Sequence, residues 1–175
     1  MIRYSKGYLI FSGCFMTHRD GVNGSFYSET SRCYGGKKLT IEQIRIDDTK
    51  AGEFIGKAFA GYATKKDVIL NFEEYCYIAK NDSGEIIGAI TGRAYYNEVH
   101  IGDLIVDEAY RGANVGSELV RTVEKAYRNR GYEKITLTTF GFQAPAFYQK
   151  LGYSLEFVRE DKDPKLSKYF YCKSI

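Results

Sequence analysis

Residues 104–117 read Leu104-Ile105-Val106-Asp107-Glu108-Ala109-Tyr110-Arg111-Gly112-Ala113-Asn114-Val115-Gly116-Ser117. An apolar strand runs into a turn holding Gly112, and Val115 opens a helix. The first backbone N–H groups of a helix have no partner within it and point one way. The helix dipole adds partial positive charge at the same place. Phosphate groups bind such a turn without basic side chains, although an ordinary strand-to-helix turn uses glycine as well. Two well-known phosphate patterns are absent: no Lys follows Gly116, as the Walker pattern requires, and there is no Gly-x-Gly-x-x-Gly.

Working outward, Val115–Arg130 reads as the best helix, with Val115, Leu119, Val123, Ala126 and Tyr127 on one face and Gly131 at its C-cap. Before the turn, Glu74–Lys80, Glu85–Ala94 and Glu98–Val106 read as strands, the first two joined by the Asn81-Asp82-Ser83-Gly84 turn. Further upstream, Leu39–Ile46 alternates like a half-buried strand. Asp47-Asp48-Thr49 caps a helix to about Gly61 with Phe54, Ala58, Phe59 and Tyr62 in one stripe, and a short helix is expected over Lys65–Asn71. Downstream, Lys134–Thr139 is a strand, Ala144–Leu151 a short helix stopped by Gly152, and Tyr153–Val158 and Lys168–Cys172 the last strands. The order predicts an α/β (α+β) fold with a mixed sheet. Residues 1–38, rich in Gly, Ser and Tyr, read as an extension with hairpin character, Tyr8–Phe15 and Ser25–Ser28 being its strands; residues 39–175 read as one domain.

At 175 residues, 44% hydrophobic and 27% charged, the chain is long and apolar enough to build a core, which excludes a disordered chain. Its apolar runs fall short of the ~20 residues a membrane-spanning helix needs. The net charge of +3 is too mild to argue for nucleic acid. The excess sits in residues 1–38, where six Lys/Arg face Asp20 and Glu29, a balance of +4; the remainder carries −1. Cys14, Cys33, Cys76 and Cys172 form no Cys-x-x-Cys pair and have no His at ligand spacing, so neither a zinc site nor a disulfide framework is expected. Reduced thiols and the absence of a signal-peptide pattern around Tyr8–Phe15 point to the cytoplasm.

The turn at 111–117 resembles the acyl-CoA signature of the GNAT family of N-acetyltransferases, Arg/Gln-x-x-Gly-x-Gly/Ala. Arg111, Val115 and Gly116 fit it, and Asn114 stands for the first glycine, as a residue that tolerates the left-handed conformation. Leu104-Ile105-Val106 resembles the family's fourth strand. Residues 144–153, Ala144-Pro145-Ala146-Phe147-Tyr148-Gln149-Lys150-Leu151-Gly152-Tyr153, resemble its Ala-x-x-x-Tyr-x-x-x-Gly-Phe/Tyr segment. Thr139–Pro145, followed by the Lys-rich Lys165–Phe170, is similar to a bacterial subgroup with a Phe-Gln-Ala-Pro-x-Phe-Tyr segment. The resemblance covers residues 39–175. It implies a mixed, mostly antiparallel central sheet flanked by helices, with the fourth and fifth strands splayed around the cofactor.

The resemblance also implies roles. Acetyl-CoA would be co-substrate, with no metal. Leu104, Ile105 and Val106 would hold pantetheine through their backbone. Arg111, Gly112, Ala113, Asn114, Val115, Gly116 and Ser117 would hold the pyrophosphate. Gly141, where many members carry Asn, and Ala144 would complete the cofactor site. Tyr148 would protonate the thiolate leaving group, a step for which a phenol is suited. His100, one of two histidines, would take the amine proton, with Glu98 and Asp103 as fallback bases. Regular alternation places Glu98, His100, Gly102 and Leu104 on one face and Asp103 on the other. Gly102 would allow a bulge that frees an N–H near Leu104–Val106 for the oxyanion.

The expected reaction is acetyl transfer from acetyl-CoA to a primary amine by direct attack. The acceptor would be an amine-bearing small molecule or a protein amine, with Tyr95, Tyr96, Asn97, Phe26 and Tyr27 lining its pocket. No membrane or nucleic-acid partner is expected, and a homodimer is the candidate assembly. A non-catalytic acyl-CoA-binding module and an acetyltransferase acting on charged tRNA are the rival readings.

Overall fold

A computed structural model describes residues 30–34 and 37–175. Contacts divide the described chain into a unit ending at Val68 and a unit from Ile69 to Ile175. In the first unit, β1 (Thr30–Tyr34) and β2 (Lys37–Ile41) form an antiparallel ladder from Thr30↔Ile41 to Tyr34↔Lys37. The hairpin therefore straddles residue 38, while the hairpin strands expected at Tyr8–Phe15 and Ser25–Ser28 lie outside the described residues. The strand expected over Leu39–Ile46 stops at Ile41, where its partner begins; Leu39, Ile41, Ile44 and Ile46 are all exposed.

Helix α1 spans Thr49–Thr64, its first turn capped by the Asp48 carboxylate, which accepts from Ala51 N at 2.8 Å. No helix follows at 65–71. The Val68 and Asp67 amides fold back on the carbonyls of Ala63 and Thr64, and Asp67 sits at φ 55°. This is the left-handed closing turn that glycine more often makes, and it ends the helix.

The second unit holds a sheet of β3 (Glu73–Lys80), β4 (Ile86–Tyr95), β5 (Glu98–Val106), β6 (Lys134–Phe140), β7 (Ser154–Arg159) and β8 (Lys168–Ser174), in the order β3-β4-β5-β6-β8-β7. Every neighbouring pair is antiparallel except β5–β6. Helix α2 (Val115–Tyr127) connects the parallel pair, and the short α3 (Pro145–Lys150) follows β6. The α2 helix stops three residues before Arg130 because Asn129 and Gly131 both take positive φ. Elsewhere the expected strands and helices hold to within about two residues.

One face of the sheet carries the core. Ile90, Ala94, Val99, Ile101, Ile135, Leu137 and Tyr171 meet Leu119, Val120, Val123 and Tyr127 of α2 and Tyr148 of α3. Val120 and Val123 are fully buried, each worth about 1.5–3 kcal/mol.

The β4–β5 ladder contains the irregularity that shapes the site. Arg93↔His100 and Gly92↔Ile101 are followed by Ile90↔Leu104, so Thr91 alone opposes Gly102 and Asp103. A one-residue insertion flips every later side chain to the other face. Leu104 and Val106 therefore join Val99 and Ile101 on the core face. Glu98 and His100 face the opposite side, and so does Asp103, whose carboxylate accepts from Thr91 Oγ1 at 3.2 Å. The regular alternation expected for this strand is thus corrected: His100 and Leu104 do not share a face, and His100 and Asp103 do. The bulge itself lies where Gly102 suggested, although a Cβ there would meet only ordinary contacts.

Candidate active site

The β5–β6 ladder runs from Glu98↔Lys134 to Ile101↔Leu137 and ends there. Beyond it β5 continues to Val106 against β4 alone, and β6 continues to Phe140 against β8 alone. The two strands part where the bulge begins and leave facing backbone edges open along 102–106 and 138–140.

The β5 arm leads into the turn. The Asp107 carboxylate accepts from Ala109 N at 2.9 Å and holds a single helical turn over Glu108–Tyr110. Arg111 Nε donates to Val106 O at 3.2 Å, tying the side chain back to the strand. Gly112 at φ 82° and Asn114 at φ 63° reverse the chain. Asn114 is the N-cap of α2 but makes no side-chain cap bond, so its left-handed backbone, not its amide, is what the turn uses. A Cβ on Gly116 would lie 3.5 Å from Phe147 and Val106, an ordinary contact.

The β6 arm ends differently. Gln143 turns its side-chain carbonyl back to Phe140 N at 2.8 Å and accepts from Thr139 Oγ1, closing the strand end. This gives the Gln of the Phe-Gln-Ala-Pro segment a structural task. Gly141 donates to Ser167 O and Phe142 to Lys165 O, and a Cβ on Gly141 would collide with the Pro164 carbonyl. The Asn that many family members carry there is excluded by the close passage of residues 164–167. Ala144 precedes Pro145, which starts α3.

Tyr148 lies in α3 with its ring among Phe147, Tyr153 and Tyr171. It is 8% exposed. Burial alone pushes its phenol up to about 12, so it holds its proton at neutral pH. His100 sits half-buried on the opposite face, its Nδ1 3.0 Å from Thr136 Oγ1. Burial, then Arg93, lowers its pKa against the opposing pull of Glu98. The imidazole is thereby kept neutral and able to accept a proton. The structure therefore puts the two expected catalytic groups on opposite faces of the sheet at the point where β5 and β6 part.

Around His100, Tyr95 donates to Glu98 at 2.7 Å and Lys134 pairs with Glu98 at 3.6 Å. Tyr96 takes φ 52° in the turn, held by Asn71, whose amide reaches Tyr96 O at 2.7 Å while its carbonyl accepts from Tyr96 N. Tyr96 and Asn97 are exposed. Phe26 and Tyr27 lie outside the described residues. Thr136, missed from the sequence, joins the His100 face, and so does Asp103, the fallback base expected on the other face; placing them needed the cross-strand register, which no local pattern carries.

Comparison with known proteins adds a consistent set. The model of the Acetyltransferase (GNAT) family matches residues 33–153. The chain is 33% identical over 104 residues to the blasticidin-S acetyltransferase of Streptomyces morookaense, spanning 59% of this chain and 76% of that protein. It is 27% identical over 151 residues to the glucosamine 6-phosphate N-acetyltransferase of Arabidopsis thaliana, spanning 74% and 95%. The crystal structure of an acetyltransferase from Bacillus cereus superposes with a TM-score of 0.63 at 34% identity, covering 76% of this chain and 97% of that one.

Proposed function

Because the chain belongs to the GNAT family of acetyltransferases, we propose that its reaction runs in the opening between β5 and β6, with acetyl-CoA as donor and a small-molecule amine as acceptor. The protein is an N-acetyltransferase. The observation that carries the site assignment is the continuity of the open β5 edge, 102–106, with the anion-binding turn at 111–117. The acceptor class is supported by relatives named for blasticidin S and glucosamine 6-phosphate. Free thiols at Cys76 and Cys172 fit a cytoplasmic setting.

When bound, acetyl-CoA supplies an activated thioester. Arg111 and the amides of Gly112–Ser117 hold the pyrophosphate, and the β5 backbone at Leu104–Val106 holds the pantetheine arm. Gly141 and Ala144 line the β6 side. His100 takes the proton lost by the amine as the new N–C bond forms, directly or through water. Tyr148, on the other face, gives its proton to the sulfur as the C–S bond breaks.

Acetyl-CoA at ~100 times its dissociation constant should stabilise the fold by about 2.7 kcal/mol, read as a rise in melting temperature. Release of free thiol with a panel of small amines should then identify the acceptor. A melt indifferent to millimolar acetyl-CoA and CoA would overturn the site assignment.

A further inference from the structure

The splayed site depends on where β5 leaves β6, and one side chain from two strands away is fastened at that point. Tyr75 on β3 pairs with Gly92 on β4, which pairs with Ile101 on β5. Ile101 is the last β5 residue on the β6 ladder, and the bulge begins at the next position. The Tyr75 ring lies across Gly92, and its hydroxyl donates to the His100 carbonyl at 3.2 Å. A Cβ on Gly92 would collide with both the Tyr75 hydroxyl and the His100 carbonyl. Gly92 has no positive φ to explain it, so the glycine serves this crossing.

We propose that Tyr75 is a positioning residue: by bonding the His100 carbonyl across Gly92, it fixes β5 one residue before the strand departs from β6, and so sets the donor-binding edge at Leu104–Val106. This rests on the site assignment above. The tie is buried. Tyr75 is 9% exposed, its ring is 5.3 Å from that of Tyr127, and Tyr127 donates to Glu73, which also binds Arg130 at 2.6 Å. The anchor end is therefore itself held to β3 and to the segment after α2. A carbonyl has two lone pairs, so the bond adds to the ladder without replacing it. Its expected contribution is to the direction of the β5 arm and thus to donor affinity, with little effect on proton transfer.

Tyr75→Phe keeps the ring packing and removes the tie. The expected result is a roughly three- to tenfold rise in the KM for acetyl-CoA, the scale of one lost hydrogen bond, with kcat within about twofold. Amide exchange at Leu104, Ile105 and Val106 should quicken while the slowest core amides of α2 do not change. Gly92→Ala should break the same tie by placing a Cβ between its two partners and shift KM in the same direction. An unchanged KM and unchanged exchange at 104–106 in Tyr75→Phe would overturn the proposal and leave Tyr75 as core packing, whatever its melting temperature. Failure of the site assignment looks different: the wild-type protein would show no stabilisation by acetyl-CoA, while the exchange measurement would still decide whether the tie holds the strand.

Discussion

Tyr148 presents a clean test at the scale of one residue. Its ring packs in the core against Tyr153 and Tyr171, and Tyr148→Phe leaves that packing in place. Tyr148→Phe should therefore melt close to wild type and bind acetyl-CoA normally, yet slow the chemical step by roughly 10²–10⁴-fold. A donor with a more acidic thiol should recover part of the loss. Normal turnover in this variant would assign the proton to water or another group. His100 offers a second test. Its folded pKa lies below the ordinary value near 6.5, so the native state holds fewer protons than the unfolded chain in acid. Its contribution to stability is complete above about pH 6.5 and is lost as pH falls through the folded pKa. Denaturant titrations at successive pH values should show that slope in wild type and a flatter one in His100→Gln; equal slopes would show that the shift carries no weight. The rate defect of His100→Ala should ease at high pH, where the amine is already neutral. Gly141→Asn, a change toward the family pattern, should destabilise by about 1–3 kcal/mol, because its side chain meets the Pro164 carbonyl. A melting temperature equal to wild type would show that residues 164–167 yield.

The elements of the second unit were legible because their periods are local. The β5 bounds come out as read, β6 and β3 to within one residue, and the long α2 face of Leu119, Val123 and Tyr127 is the buried one. What failed needed pairing information. The bulge was signalled by Gly102, but its consequence was not: one extra residue reverses the faces of Leu104–Val106 relative to His100, and only the register with β4 reveals it. The Leu39–Ile46 alternation looks like a strand, yet a strand extends only as far as its partner, and β1 ends the ladder at Ile41. The turn ahead of α2 was legible because its chemistry is backbone chemistry. It also yields a prediction that separates fold from function. Gly116→Asp puts a carboxylate in the first turn, where the dipole favours negative charge, and its Cβ has room. The free protein should melt at or slightly above the wild-type temperature, while stabilisation by acetyl-CoA disappears. If the variant keeps its ligand-dependent shift, the pyrophosphate does not sit on that helix end.

At the scale of the molecule, every group assigned to the donor lies between Leu104 and Tyr148, within the unit that begins at Ile69. That unit contains the six-stranded sheet, α2, α3 and the core cluster. Residues 1–38 carry the basic excess and none of these groups. We therefore expect the extension to be dispensable for donor binding, and the β1–β2 ladder dictates how this is tested. A chain starting at residue 39 loses Lys37 and Lys38 and all of β1, leaving the rest of β2 without the strand it pairs with; a chain starting at residue 30 keeps the hairpin whole. Both should retain the full rise in melting temperature with acetyl-CoA, because a ligand that binds only the folded state adds the same increment to whatever stability remains. Their baselines should differ, the longer chain melting higher by the worth of the hairpin. Loss of the acetyl-CoA increment from the 39–175 chain alone would make β1 part of what supports the donor site. Loss from both would bring residues before Thr30 into it and move the domain boundary to the start of the chain.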